Sequence, residues 1–299
     1  MITAERVSVV IPLYNHQRYI QAALASVAAQ SHPVDEIIIV DDGSSDQGGD
    51  LVQQQARQDS RILFWRQPNQ GAHRALNAAI HRATGDYVAI LNSDDVYHPH
   101  RVARCLDTLR QNPQSAAVCT GLGFINDQGR SITNPWYQQA LDFYHRTGDL
   151  LLALINGNFI MTTSNLFIRR QMFEDIGFFC GLRYAHDLDF FLRLIGAGQR
   201  LHWLPEELLQ YRSHASNTIS EGVDKVKIEW AAVVAWHLAQ AQAAADSTWL
   251  EALLRVTDRH NLTRLLYLLQ LQLQRQPCAD PAALLRLPGC RTLLEKVVQ

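Results

Sequence analysis

The sequence predicts an α/β protein: a mostly parallel sheet flanked by helices, with a helical appendage at the C-terminal end. Three observations predict it. Short runs rich in β-branched residues alternate with stretches of helical spacing over residues 1–120. Those runs are apolar on both faces, as strands buried in a parallel sheet are. From about residue 223 the composition turns rich in Ala, Leu and Gln. The length of 299 residues suits one large domain, expected over 1–222 in two halves (1–120 and 121–222), and a smaller helical region over 223–299.

Taken in order, the expected strands are 7–13 (VSVVIPL), 36–40 (EIIIV), 61–66 (RILFWR), 87–91 (YVAIL) and 116–120 (AAVCT). Between them, 17–30 sets Ile20, Leu24 and Val27 on one helical face, and 71–83 does the same with Leu76, Ala79 and Ile80. Phe124 to Gly129 reads as a hairpin tip, because Asn, Asp and Gly cluster between apolar runs. Residues 134–157 read as aromatic and loop-rich, and 172–176 and 188–195 as helices. The tail is expected to be helical over 229–245 and 249–274, with alternating LQLQLQ at 269–274 as its one strand signal. Pro277 and Pro281 then break it before a last short helix.

Composition removes several classes. The formal net charge is -2, which gives no basis for holding nucleic acid by neutralising phosphates. The five cysteines are scattered and lack a CxxC pair, so neither a zinc knuckle nor a disulfide framework is indicated and a reducing cytoplasm fits. No stretch approaches the roughly 18 apolar residues of a membrane span, and residues 7–13 are too short for a signal-peptide core, so neither spanning nor secretion is expected. A dinucleotide-binding GxGxxG, a P-loop GxxxxGK[ST] and a hydrolase GxSxG are all missing.

In an open parallel sheet, ligands bind outside the carboxyl ends of the strands. Here those ends would deliver Pro12-Leu13-Tyr14-Asn15, Asp41-Asp42-Gly43-Ser44-Ser45-Asp46, Gln67-Pro68-Asn69-Gln70-Gly71 and Asn92-Ser93-Asp94-Asp95 to one edge. The Asp-Gly-Ser-Ser-Asp run is equally good turn chemistry, with Ser45 or Asp46 capping the next helix. Adjacent Asp94 and Asp95 at the end of a buried strand are costly unless a cation compensates them. That points to a site for Mg²⁺ or Mn²⁺ shared with phosphates.

These residues resemble family 2 glycosyltransferases, which have the GT-A fold. The matching runs are VSVVIPLYNHQRYI, EIIIVDDGSSD, NQGAHRALNAAIHRATGDYVAILNSDD, NLFIRRQMFEDIGFF, HDLDFFLRL and LLQYRSHASNTIS, in order over residues 6–220. The resemblance implies an inverting enzyme that moves one sugar from a nucleotide-diphosphate sugar, UDP- or dTDP-linked, to an acceptor hydroxyl on a glycan or lipid-linked glycan. It implies that Asp42 accepts the imide N–H of a uracil or thymine base, and that Pro12, Tyr14, Asn15, Asn69 and Gly71 line the nucleotide. Asp94 and Asp95 match the metal and ribose-diphosphate motif, with Asp95 as the direct ligand. Asp187 resembles the general base, and His214 the late histidine that approaches the metal. Asp189, two residues beyond Asp187 on a helix, faces elsewhere and reads as structural.

Two departures from the family pattern stand out. Asn92 replaces an Asp, which is expected to tune the site, and His186 replaces the Glu before the base. Gln199-Arg200-Leu201-His202-Trp203 only superficially resembles the QxxRW motif of processive synthases and reads as a plain strand, so a single addition is expected. Leu262, Leu265, Leu266, Leu269 and Leu273 form an apolar face that suits packing or a homodimer. Contact with the inner face of the membrane is a weaker option, since the polar positions are Gln-rich. A silent GT-A domain that binds a nucleotide sugar or a protein is the alternative function. A nucleotidylyltransferase lacks its Gly-rich, Arg-containing loop after the first strand.

Overall fold

The computed structural model describes residues 5–241 and 247–290. The end of the expected helix at 229–245 and the terminal 291–299 lie outside them. In chain order the elements are β1 (Val7–Leu13), α1 (Ile20–Ala28), β2 (Glu36–Asp41), α2 (Gly48–Ala56), β3 (Ile62–Arg66), α3 (Ala72–Ile80), β4 (Tyr87–Ile90), β5 (Val96–Tyr97) and α4 (Arg101–Gln111). Then follow β6 (Ser115–Asn126), β7 (Ser131–Ile132), α5 (Pro135–Thr147), α6 (Leu150–Asn156), β8 (Phe167–Arg169), α7 (Met172–Ile176), α8 (His186–Gly196) and β9 (Arg200–Ser213). The tail adds α9 (Val223–Ala241), α10 (Ser247–Arg259), α11 (Thr263–Arg275) and α12 (Pro281–Arg286). No described helix is long and apolar enough to cross a membrane.

The chain forms two compact units. The first, Met1–Thr133, Ile160–Phe179 and Gln199–His214, holds the whole sheet. Its strand order is β3-β2-β1-β4-β8-β6-β9-β5, with β7 paired to β6. β1 to β4 pair parallel. β8 is antiparallel to both β4 and β6, so β6 and its parallel partner β9 point the same way as β1. Six strands therefore end on one edge. The order runs outward through β1, β2 and β3 and then resumes at β4 on the other side of β1. That reversal opens a crevice between the carboxyl ends of β1 and β4.

The local causes are legible. β1 and β2 are buried along almost their whole length, and α3 packs against both. Pro12 lies beyond the last β1–β4 pair, Val10 with Ile90, where a missing N–H costs that ladder nothing. The strand expected at 116–120 extends to Asn126, because β9 follows it in parallel through register shifts around Thr120 and Gly121. The hairpin tip is present: Asn126 N–H donates to Arg130 O, with Gly129 at φ 77°.

The second unit comprises Asn134–Phe159, Cys180–Gly198 and Ala215–Gln299. Its first segment corrects the loop-rich reading of 134–157, which forms α5 and α6. The Asn134 side chain accepts from Tyr137 N, Pro135 opens the helix, and Gly148 closes it at φ 65°. Asp149 caps α6 through Leu152 N. Cap chemistry outweighed aromatic content. The stretch 249–274 is also not one helix, since Asn261 turns left-handed at φ 57° between α10 and α11. The LQLQLQ alternation lies within α11, with Leu265, Leu266, Leu269 and Leu273 buried.

Candidate active site

At the β1–β4 crevice three side chains from distant parts of the first unit converge. The ligand atoms of His16, Asp94 and His214 all lie within 4.8 Å of one another, the one such group able to hold a metal ion among the described residues. His16 follows β1, Asp94 follows β4 and His214 follows β9. His214 Nε2 is 3.0 Å from Asp94 Oδ2. His16 Nδ1 is 2.8 Å from Ser93 Oγ and 4.0 Å from Asp94 Oδ1. The two imidazoles meet edge to face at 5.6 Å, and Tyr19 packs at 4.9 Å on His214. Two imidazoles and a carboxylate so close together fit a divalent transition ion.

Electrostatics separates the two adjacent carboxylates. Burial alone would raise the Asp94 pKa, but the His214 hydrogen bond and the charges of His16 and His214 hold it below its ordinary value. Asp95 goes the other way, pushed well above the ordinary range by burial and then by the charge of Asp94. Asp95 stands outside the cluster. Its Oδ2 accepts from Ser164 Oγ at 2.6 Å and its Oδ1 from Arg212 N at 2.9 Å. Burial depresses the His16 pKa despite the opposing charge of Asp94, which favours the neutral, ligating imidazole.

Arg212 braces this arrangement. It donates through Nε to Asp94 O at 2.7 Å and through Nη1 to Asn126 O at 3.1 Å, and its guanidinium stacks 5.0 Å over Tyr19. Asn92 binds elsewhere. Its Nδ2 donates to Thr162 Oγ1 at 2.9 Å, and its Oδ1 accepts from Thr163 Oγ1 at 3.1 Å. The amide donates to one threonine hydroxyl and accepts from the other, using both of its hydrogen-bonding groups. The structure thus brings together Asp94 and His214 of the expected ligands and adds His16. The sequence signal for His16 was its place in the first-strand loop, on the edge that receives Asp94.

The loops after β2 and β3 form a second cluster at the same edge. Asp42 Oδ1 accepts from Gln67 Nε2 at 2.8 Å and Gln70 N at 2.9 Å, while Oδ2 accepts from Gly71 N at 2.8 Å. Gly43 has φ 76°, and a Cβ there would lie 2.9 Å from Asn69 N, so only glycine lets the loops touch. Asn15, at φ 52°, ties the first loop to the second: its N–H donates to Ser44 Oγ at 2.9 Å, and its Oδ1 accepts from Ser45 N at 2.8 Å. Asp46 Oδ1 accepts from Gly48 N, the first residue of α2, at 2.9 Å, while Gln47 holds the N-cap position without a side-chain cap bond. Tyr14 and Asn69 are exposed at this edge, Pro12 half-buried.

In the second unit, Asp187 sits in the first turn of α8, 7% exposed. Its Oδ1 accepts from Leu188 N at 2.7 Å and its Oδ2 from Asn158 Nδ2 at 2.9 Å. Burial outweighs these bonds and pushes its pKa up to about 7. That places it where a carboxyl exchanges a proton readily near neutrality. Asp189 is a structural acid, fully buried, salt-bridged to Arg193 at 2.9 Å and bonded to His237 at 3.1 Å.

The comparisons agree with this architecture. The sequence model described as glycosyl transferase family 2 matches residues 8–177. An uncharacterized glycosyltransferase of Nostoc sp. is 32% identical over 219 residues, covering 71% of this chain and 66% of its own. TuaG of Bacillus subtilis, named for teichuronic acid biosynthesis, is 33% identical over 215 residues, covering 72% of this chain and 81% of its own. Among solved structures, a fragment of S. aureus TarS in complex with UDP-GlcNAc matches with TM-score 0.65 at 20% identity, over 91% of this chain and 78% of that one. The mannosyltransferase PcManGT from Pyrobaculum calidifontis, in complex with GDP-Man and Mn²⁺, matches with TM-score 0.61 at 21% identity, over 98% and 84%. These two share the fold, and the GT-A arrangement expected from the motifs is the one found.

Proposed function

Because this chain belongs to glycosyl transferase family 2, we propose that it transfers one sugar, with inversion, from a UDP- or dTDP-linked donor to an acceptor hydroxyl in the synthesis of surface polysaccharide or glycolipid. The observation that carries the reading is the convergence of His16, Asp94 and His214 at the topological switch point, beside the loop that presents Asp42.

Each residue has a task. Asp42 keeps a lone pair on Oδ2 for the imide N–H of a uracil or thymine base, while Gln67, Gln70 and Gly71 hold its carboxylate in place. Tyr14, Asn15, Pro12, Asn69 and Gly71 line the nucleotide. Asp94, His214 and His16 would hold a divalent ion, and the two imidazoles suit Mn²⁺ better than Mg²⁺. Bound there, such an ion would supply Lewis-acid compensation for charge on the departing diphosphate. Asp95 stays with Ser164 and Arg212 and braces the loop that carries Asp94.

Asp187 takes the proton of the acceptor hydroxyl as its oxygen bonds to the anomeric carbon and the bond to the diphosphate breaks. A carboxyl with a pKa near 7 is a stronger base than a solvated one and is still half-ionised at neutral pH. Lipid-linked acceptors would be met by a cytoplasmic enzyme at the inner face of the membrane. The test is release of nucleoside diphosphate over a panel of UDP-, dTDP- and GDP-sugars and glycan or lipid-linked acceptors, with Mn²⁺ or Mg²⁺. Turnover with one donor, lost in Asp187→Asn while donor binding survives, is expected. Binding of a donor without turnover over the whole panel would favour a silent binding domain.

A further inference from the structure

The chain before Asp187 is held by one side chain from the tail. Three successive backbone N–H groups converge on the carboxylate of Glu229 in α9: Arg183 N on Oε1 at 2.9 Å, and Tyr184 N and Ala185 N on Oε2 at 2.6 and 3.0 Å. Consecutive N–H groups that share one concavity form a nest for an anion. Here the protein fills that nest with its own carboxylate. The amino end of α8 has no side-chain cap of its own, so the turn that delivers Asp187 two residues later is fixed by a residue more than forty positions away.

The next residue of α9 holds the other flank. Trp230 Nε1 donates to Ile155 O at 3.0 Å, at the end of α6, and three residues on Asn158 donates to Asp187 Oδ2. Seven residues further along α9, two turns on the same face, His237 bonds Asp189 at 3.1 Å. Thus α9 grips the segment before Asp187, the segment that hydrogen-bonds it and the helix that carries it. A helix serving only as an appendage has no reason to place a carboxylate under that turn.

We propose that Glu229 is a positioning residue for Asp187, and that α9 is therefore part of the catalytic apparatus. This rests on the reading of Asp187 as the base. The charge of Glu229 also adds to burial in favouring the protonated form of Asp187. The other charged groups nearby are already matched: Asp189 by Arg193 and His237, and Arg183 by Glu221, which its Nε reaches at 2.8 Å. His186 adjoins Asp187 in the chain.

The test uses the full chain with Glu229→Gln, Glu229→Asp and Asp187→Asn. Glutamine offers one acceptor oxygen where two are used and turns an N–H₂ group toward a backbone N–H. The expected result for Glu229→Gln is a fall in kcat of roughly 10–100-fold, the scale of small misplacements of a reacting group. Donor KM stays unchanged, and the rising limb of the pH–kcat profile moves to lower pH. Glu229→Asp, which keeps the charge on a shorter arm, recovers the pH midpoint and part of kcat. In Glu229→Gln, wild-type kcat, or lowered kcat with the midpoint unmoved, overturns the proposal. If Glu229→Gln fails to fold, Glu229→Asp decides the matter: lowered kcat at unchanged donor KM and unmoved midpoint supports the positioning role, and wild-type kcat overturns it. Asp187→Asn separates the two readings: if it still turns over, the base assignment fails, whereas an inactive Asp187→Asn beside a wild-type Glu229→Gln removes only the role of Glu229.

Discussion

His214 Nε2 lies 3.0 Å from Asp94 Oδ2, which joins the residue after the last strand of the sheet to the loop after the fourth. A hydrogen bond between an imidazole and a carboxylate already held below its ordinary pKa is the arrangement a divalent ion takes over by displacing the shared proton. Three outcomes follow for the metal and the base, and a fourth for the nucleotide loops.

His214→Ala and His16→Ala should each weaken Mn²⁺ binding in the presence of nucleoside diphosphate by at least about 10–100-fold, the range seen even for outer-shell changes at metal sites. Isothermal titration of Mn²⁺ into the nucleotide-bound protein measures this. Unchanged affinity in both variants would mean that the ion, if bound, sits elsewhere.

Asp94→Asn and Asp95→Asn should behave differently despite their adjacency. Asp95→Asn keeps an acceptor for Arg212 N and gains a donor for Ser164 Oγ, while relieving a buried, repelled charge. Because its folded-state pKa is raised, the acid stabilises the fold below its unfolded-state pKa and loses that contribution as pH rises. The metal-free variant should therefore melt a few degrees higher at slightly alkaline pH, about 2–4 °C for each kcal/mol relieved. Its Mn²⁺ affinity should change only a few-fold, whereas Asp94→Asn should abolish binding. Equal loss in both would assign Asp95 to the ion.

Asp187 gives a pH signature in two observables. The base acts when deprotonated, so kcat should rise with pH and level off above about 7. Stability runs in the opposite sense: with the folded-state pKa raised, the contribution is full below the unfolded value near 4 and is lost as pH rises through about 7. Asp187→Asn should abolish turnover and melt higher than wild type at about pH 8, with the difference vanishing near pH 4. A variant that is inactive yet melts identically at every pH would show that Asp187 carries no raised pKa.

Gly43→Ala should destabilise the protein by about 1–3 kcal/mol, from left-handed strain and a Cβ pressed against the Asn69 backbone. It should also weaken nucleotide binding, since the contact aligns Asp42 with the loop after β3. Gly148→Ala is the control: its φ is also positive, at 65°, but nothing lies within 4 Å of the added carbon, so the cost should stay near 1 kcal/mol and nucleotide affinity unchanged. Denaturant unfolding and nucleotide titration read the two effects. Equal losses in both variants would reduce the Gly43 contact to backbone strain alone.

Much of the site was legible in the residues themselves. Strand period, helical spacing and the acids at strand ends are local properties, so β1 to β4, α1, α3 and the edge bearing Asp42 and Asp94 could be read from the chain directly. His214 came with a motif rather than from spacing. The helices over 134–157 carried their signals too, in Asn134-Pro135 and Gly148-Asp149, but aromatic content obscured them.

What the tertiary structure decided was direction and company. Two neighbouring aspartates are equivalent in a sequence, and only the arrival of Arg212 and Ser164 at one and His214 at the other distinguishes Asp95 from Asp94. His16 gained its neighbours Asp94 and His214 from some eighty and two hundred positions away, and the turn before Asp187 gained the Glu229 carboxylate. Such meetings depend on how distant strands and helices pack, which no local pattern encodes. The short-range period of the chain fixes which elements form, and the long-range closing of the sheet and of α9 on α8 fixes which side chains share a proton, an ion or a turn.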